Sequence, residues 1–92
     1  MTEVNNRYFI TITAEADEIY HISNTALKKV DILNSTEGDV YVSDSNDFTA
    51  TDGIASYITI PAGTAANGIY CPSIGIYVKA ESEGDIAIMG VA

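Results

Sequence analysis

The chain has one cysteine, one histidine, no tryptophan, two prolines and four basic residues, Arg7, Lys28, Lys29 and Lys79. Each scarcity closes off a class of function. With Cys71 alone no internal disulfide can form, so stability has to come from packing and backbone pairing. One cysteine and one histidine cannot build a structural zinc site. Four cations against thirteen carboxylates leave a net charge of −9. Such a chain cannot neutralise a run of phosphates, so neither nucleic acid nor an anionic membrane is expected as a partner. No apolar run approaches the ~20 residues that span a bilayer. The opening Met-Thr-Glu-Val-Asn-Asn-Arg has no apolar stretch behind a basic head, so no secretory signal is expected and synthesis in a cytoplasm is. The acidic excess favours solubility and basic partners.

Catalytic groups are equally scarce. A general acid or base needs a partner carboxylate and a cleft, and nothing near His21 in the sequence marks either. Its parity sets it opposite Tyr20 and Ile22, toward solvent or a partner. Cys71 has no basic neighbour to lower its pKa and reads as a buried structural thiol, with an intermolecular disulfide as the alternative. Asp44, Asn46, Asp47 and Asp52 crowd one loop, but Asp44-Ser45-Asn46-Asp47-Phe48 lacks the fifth-position oxygen and the following glycine of an EF-hand. A solvated loop is the expectation. Asn34-Ser35-Thr36 matches a glycosylation sequon, which without a signal sequence is accidental. There is no glycine-rich phosphate loop. The reading is therefore not an enzyme, with no catalytic, cofactor-binding or metal-ligating residues and no cofactor.

What is present is alternation. Apolar residues make up 47% of 92 residues, enough for one domain with a modest core. Period-two patterning predicts strands over Tyr8–Ala14, Ile19–Ser23, Leu27–Asn34, Asp39–Ser43, Ser56–Ile60, Gly68–Cys71, Ile74–Ala80 and Asp85–Val91. A polar stretch runs from Asp44 to Gly53, Thr64–Asn67 reads as an irregular turn, and no helical stripe appears. About eight strands with turn signals every 8–12 residues indicate an all-β fold, a single antiparallel β-sandwich that is jelly-roll-like. The domain is residues 8–92; residues 1–7 read as an N-terminal arm that orders on a partner.

The sequence also repeats itself. VDILNSTEGDVYV at residues 30–42 aligns without gaps on IYVKAESEGDIAI at residues 76–88, an offset of 76 − 30 = 46, half of the 92 residues. Glu37, Gly38 and Asp39 recur as Glu83, Gly84 and Asp85. Each copy reads as a hairpin of two strands, with glycine supplying a positive φ at the turn. One copy per sheet is the expectation, in a twofold β build.

Of six tyrosines, Tyr41, Tyr57 and Tyr77 share odd parity, opposite the aliphatic face of their strands. That directs them outward, where tyrosine suits a protein interface or, lacking tryptophan platforms, part of a sugar site. With Asn5, Asn6 and Arg7 of the arm they are the interface candidates.

The segments VDILNSTEGDVYVSDSNDF and SYITIPAGTAANGIYCPSIGIYVKAESEGDIAI, about two-thirds of the chain, resemble the capsid-associated proteins of tailed bacteriophages, both decoration or auxiliary capsid proteins and head-fibre modules. The shared features are the order of strand and turn signatures. The resemblance implies a non-enzymatic virion protein, made in a bacterial host cytoplasm, that binds and stabilises the capsid exterior. Its partners would be the major capsid protein or another virion protein, and copies of itself in a homo-oligomer. A receptor- or glycan-binding module of a fibre or tail is the alternative.

Overall fold

The computed structural model describes residues 1–4, 8–23 and 28–91. They are all-β, with no helix among them and eleven strands: β1 (Thr2–Val4), β2 (Phe9–Ala14), β3 (Ile19–Ile22), β4 (Lys29–Thr36), β5 (Val40–Ser43), β6 (Ala50–Thr51), β7 (Ile54–Ala55), β8 (Ile58–Ile60), β9 (Ala65–Tyr70), β10 (Ile76–Ala80) and β11 (Gly84–Val91). One sheet runs β1-β3-β10-β5-β8, a second β2-β11-β4-β9, and β6 pairs with β7 alone. All ladders are antiparallel except β1 with β3, which is parallel, and no sheet closes into a barrel.

Alternation decides which side chains are inside. In β4, Val30, Ile32, Asn34 and Thr36 are buried while Lys29, Leu33 and Ser35 are exposed. Ile12, Ala14, Val30, Ile32, Ile86 and Ile88 of the second sheet form one core cluster with Tyr20, Ile22, Val40, Val42, Ile60, Ile76, Val78 and Ala80 of the first. Each fully buried aliphatic side chain contributes about 1.5–3 kcal/mol of transfer free energy.

The repeat is real in space, but its form differs from the expected hairpins. β4 and β5 lie in different sheets, as do β10 and β11, so each copy is an arch that crosses between sheets. The copies pair with each other instead: β4 with β11, and β5 with β10. Ile32 faces Ile88; adding 46 to one and subtracting 46 from the other gives Val78 facing Val42, which is the observed pair. Likewise Val78 facing Tyr20 maps onto Ile32 facing Ala66. The operation turns β3-β10-β5-β8 into β9-β4-β11-β2, the second sheet read backwards. The fold thus has a pseudo-twofold axis relating β2–β5 to β8–β11. The relation extends to a match that the sequence reading missed, Phe9-Ile10-Thr11-Ile12 on Tyr57-Ile58-Thr59-Ile60, at an offset of 58 − 10 = 48.

The recurring glycines sit where the arches cross. Gly38 does not have a positive φ, contrary to expectation. A Cβ on Gly38 would lie 2.6 Å from Ser82 Oγ, and one on Gly84 2.9 Å from Thr36 Cα. Thr36 and Ser82 are themselves equivalent, so each copy's glycine admits the hydroxyl residue of the other. Close approach explains the repeated Glu-Gly-Asp better than turn conformation does.

Other departures are local. Thr2–Val4, read as part of an arm that orders on a partner, pairs with Tyr20–Ile22 of the same chain; three extended residues find an open edge strand there. Asn5, Asn6 and Arg7 lie outside the described residues. Ala65–Asn67, read as a turn, belongs to β9, where ladder bonds to β4 override weak alternation across a register shift between Val30 and Ile32. The polar loop contains a small hairpin, β6–β7, turned by Asp52 (φ 54°) and Gly53 (φ 79°). That is the type I′ geometry an Asp-Gly pair favours.

Asn34 is the main buried polar group. Its amide nitrogen donates to the carbonyls of Gly38 (2.9 Å) and Ile60 (2.8 Å), and its Oδ1 accepts from the Thr36 backbone N–H at 2.9 Å. Both amide hydrogens are used inside the protein, which gives the sequon a structural role in place of a glycan.

Candidate functional site

The two large sheets each present an outer face, and the pseudo-twofold axis makes the faces equivalent in backbone. Their side chains differ.

On the first sheet the outward row Glu3, His21, Tyr77 follows directly from register: Glu3 faces His21, which faces Tyr77. The His21 and Tyr77 rings stack 4.2 Å apart at 8°. His21 Nδ1 lies 2.7 Å from Glu3 Oε1, and Nε2 lies 2.6 Å from the Ile74 carbonyl. Both neighbours are acceptor oxygens, so the ring is held between a side-chain carboxylate and a backbone carbonyl. The carboxylate partner that sequence proximity did not reveal is eighteen residues away, delivered by parallel pairing of β1 with β3. His21 does not line the open hollows beside Phe9 and Met89, beside Tyr57 and Tyr70, or beside Thr49 and Ile54.

The next part of this face is an aromatic group. Tyr41 and Tyr57 meet edge to face at 5.0 Å, and Phe48 lies 6.2 Å from Tyr57. Lys79 Nζ sits 5.8 Å from the centre of the Phe48 ring, within cation–π range. The Tyr41 hydroxyl donates to Glu81 Oε2 at 2.8 Å. That hydrogen bond, helped by desolvation and the nearby carboxylate charge, pushes the Tyr41 phenol up to about 12. The three predicted tyrosines therefore share one sheet face: Tyr41 and Tyr57 touch, and Tyr77 joins His21. Phe48, Lys79, Glu81 and Glu3 were not predicted. Outward parity could have flagged Lys79 on β10; Phe48 comes from the loop, which has no periodicity to read.

Ser56 ties that loop down. Its hydroxyl donates to the Asp47 carbonyl at 2.8 Å, and its own carbonyl accepts from Ser43 Oγ at 2.8 Å. Among the described residues no group of three or more His, Cys, Asp or Glu converges as metal ligands would.

The second sheet's outer face is apolar at its centre. Phe9, Leu33, Tyr70 and Met89 are 73%, 45%, 72% and 42% exposed. With Ala65 and Ala87, Phe9, Leu33 and Met89 border an open hollow of about 330 Å³. Nothing in the sequence reading marked this face, because outward apolar residues on a strand look like core until the sheet is placed.

Cys71 is buried, 3% exposed, and desolvation raises its pKa. No helix among the described residues is long and apolar enough to cross a membrane.

Set against protein-family models, curated proteins and solved structures, the chain matches none of them. Its function has to be argued from its own faces.

Proposed function

We propose that the chain is an antiparallel β-sandwich of jelly-roll type that acts as a non-enzymatic structural protein on the exterior of a phage capsid. The fold reading is supported by strand order. Leaving aside β1, β6 and β7, the other eight strands, counted along the chain, run 1-8-3-6 in one sheet and 2-7-4-5 in the other. Those are the pairs of a long ribbon (1 with 8, 2 with 7, 3 with 6, 4 with 5) wrapped into two layers. Jelly rolls house viral capsid and lectin domains, which is an analogy of fold and not of site.

The mechanism is stoichiometric docking. Identical copies bind a repeating lattice of major capsid protein, each through a modest contact, and together raise the barrier to disassembly. The observation that carries this reading is the aromatic face of the five-stranded sheet: Tyr41, Tyr57 and Tyr77, half-buried and held by stacking and hydrogen bonds, form a rigid amphipathic surface of the kind interfaces favour. Asn5, Asn6 and Arg7 belong to the same proposal. The test is a mass-spectrometric inventory of purified particles. Copies in the hundreds support the shell, a dozen or fewer place the protein on the tail, and absence overturns the reading.

A second reading, a glycan-binding module of a fibre, is favoured by the Tyr41–Tyr57–Phe48 ring group flanked by Lys79 and Glu81. A glycan array separates the two: sugar binding lost in Tyr57→Ala supports the module, and an array without signal counts against it.

A further inference from the structure

We propose, independently of the virion reading, that two copies of this chain exchange halves through the Asp52-Gly53 turn, so that β1–β6 of one copy fold against β7–β11 of the other.

β2, β3, β4 and β5 never pair with one another, and neither do β8, β9, β10 and β11. Apart from the three-residue edge pair β1–β3, every ladder of the two large sheets joins one set to the other: β3 and β5 with β10, β5 with β8, β2 and β4 with β11, and β4 with β9. Backbone bonds outside the strands also cross between the sets: the N–H of Asp17 donates to Ala80, Asn34 to Thr64, Gly63 to Asn34, Cys71 to Lys28 and Glu81 to Asp39. A half by itself has no large sheet to form, and its strand donors and acceptors would go unpaired. It needs the other half. Nothing in these bonds distinguishes the other half of its own chain from that of a second copy.

The connection between the halves lies where it can open. Residues 49–56 are all exposed, and a Cβ on Gly53 would meet nothing within 4 Å. The turn holds Asp52 at a φ of 54°, a left-handed conformation that is unfavourable for a residue with a side chain. Extending the turn relieves that and lets β6 run on into β7, one strand in each lobe. The pairs Ala50–Ala55 and Thr51–Ile54 then re-form between copies, so the exchanged dimer keeps every ladder of the monomer.

Exchange also changes which chains build the aromatic face. Tyr41 and Phe48 lie before the hinge, and Tyr57, Lys79 and Glu81 after it; His21 lies before it and Tyr77 after. In the exchanged dimer each of these contacts joins two copies.

The tether sets the concentration at which exchange competes. A short flexible connection holds two binding parts at an effective concentration on the order of 1 mM. Copies folding together near that concentration meet one another's halves about as often as their own, and at about 10 μM the monomer dominates. Undoing the exchange means breaking every ladder between the halves. The dimer therefore lasts as long as global unfolding takes.

Two measurements on the full chain test this. Wild type refolded from denaturant at about 1 mM, then diluted to about 10 μM, should show roughly a tenth to a half of the chains as dimer on gel filtration; refolding at about 10 μM should give monomer. The diluted dimer should revert at the unfolding rate measured separately in urea. In the second, Ile32→Asp and Ile86→Asp each put a carboxylate at a fully buried position, one in each half, and each variant alone should stay unfolded by circular dichroism. Mixed at about 100 μM each, they should regain about half of the wild-type signal, because exchange builds one lobe from the two intact halves. An effective concentration of about 1 mM divided by a folded-to-unfolded ratio of about 1,000 or more puts the dissociation constant of the halves near 1 μM or tighter, so the mixture is far above it. Should either variant fold alone, the refolding measurement still decides. Monomer only after refolding at about 1 mM, a dimer that splits on dilution faster than the protein unfolds, or a mixture of unfolded variants that stays unfolded overturns the proposal.

Discussion

Replacing Gly84 by alanine should damage the fold far more than the same change at the equivalent Gly38. At Gly84 the new Cβ meets Thr36 Cα at 2.9 Å and Thr36 Cβ and Cγ2 at 3.0 Å, and the backbone φ is +155°. The nearest obstacle is main chain in a buried ladder and cannot rotate away. Strain at such a φ costs about 1–3 kcal/mol and overpacking about 1–3 kcal/mol, offset by about 0.4–1 kcal/mol from the stiffer unfolded chain. The net is a loss of about 2–5 kcal/mol, against a total stability of about 5–14 kcal/mol for a chain of this length. At Gly38 the nearest atom is Ser82 Oγ at 2.6 Å, a hydroxyl on a rotatable side chain, and the φ is not positive. The expected loss there is about 1 kcal/mol. Urea unfolding of wild type and both variants is the assay. With a slope of about 1–1.5 kcal/mol/M, the Gly84→Ala midpoint should fall by roughly 1.3 M or more and that of Gly38→Ala by about 1 M or less. Equal shifts, or a Gly84→Ala midpoint within about 0.5 M of wild type, would refute the claim that the arches touch backbone to backbone on that side.

Asn34→Ala should cost about 2–4 kcal/mol, because it removes the side-chain donor to the Ile60 carbonyl, one of the two side-chain donors to the Gly38 carbonyl, and the acceptor of the Thr36 N–H; calorimetry should show a Tm lowered by roughly 10–25 °C. Tyr41 should ionise near 12 in an NMR titration of its ring carbons. Because the folded value is raised, the Glu81 contact contributes in full below the ordinary tyrosine range and is lost as pH climbs through about 12; Glu81→Gln should bring the midpoint down. Cys71, buried with a raised pKa, should react with a thiol reagent only slowly in the native protein and at once in denaturant, and rapid native labelling would contradict its burial. Glu3→Ala should speed hydrogen exchange of the Thr2–Val4 amides by at most about fivefold, the worth of an exposed pair.

Alternation made most of the strands legible. Each of the eight expected segments overlaps a strand, and the inward positions, Ile12, Ile32, Val40, Val78 and Ile86 among them, are those of the core. What alternation cannot carry is sheet membership. A strand–turn–strand pattern such as Val30–Val42 is the same string whether the chain folds back beside itself or crosses to the other layer, and the deciding bonds are made with residues 46 positions away. The aromatic face was legible in part, because Tyr41 and Tyr77 sit on regular strands. The Glu3 partner of His21 was not, since a parallel three-residue edge strand leaves no periodic trace. The Asp-Gly at Asp52 was a readable hairpin signal, hidden by the absence of flanking alternation.

The pseudo-twofold axis explains how one small chain offers two unlike faces. Equivalent inward positions stay aliphatic: Ile32 with Val78, Ile88 with Val42, Ile86 with Val40, all buried. They have to, because they meet one another across shared ladders, and a polar change in one copy would sit in the other's core. Outward positions carry no such constraint and many differ, although Thr11 still answers to Thr59 and Asp85 to Asp39. Asp31 answers to Tyr77, Leu33 to Lys79 and Ala87 to Tyr41. Packing energy thus ties the two halves together on the inside while leaving each outer sheet face free to acquire its own chemistry, apolar on one side and aromatic with paired charges on the other. An inward exception tests the rule: Asn34 answers to Ala80, and its amide is used up bonding Gly38 and Ile60 across the crossing point. A polar group survives inside only on that condition, since an unpartnered buried amide would cost more than the fold can spare.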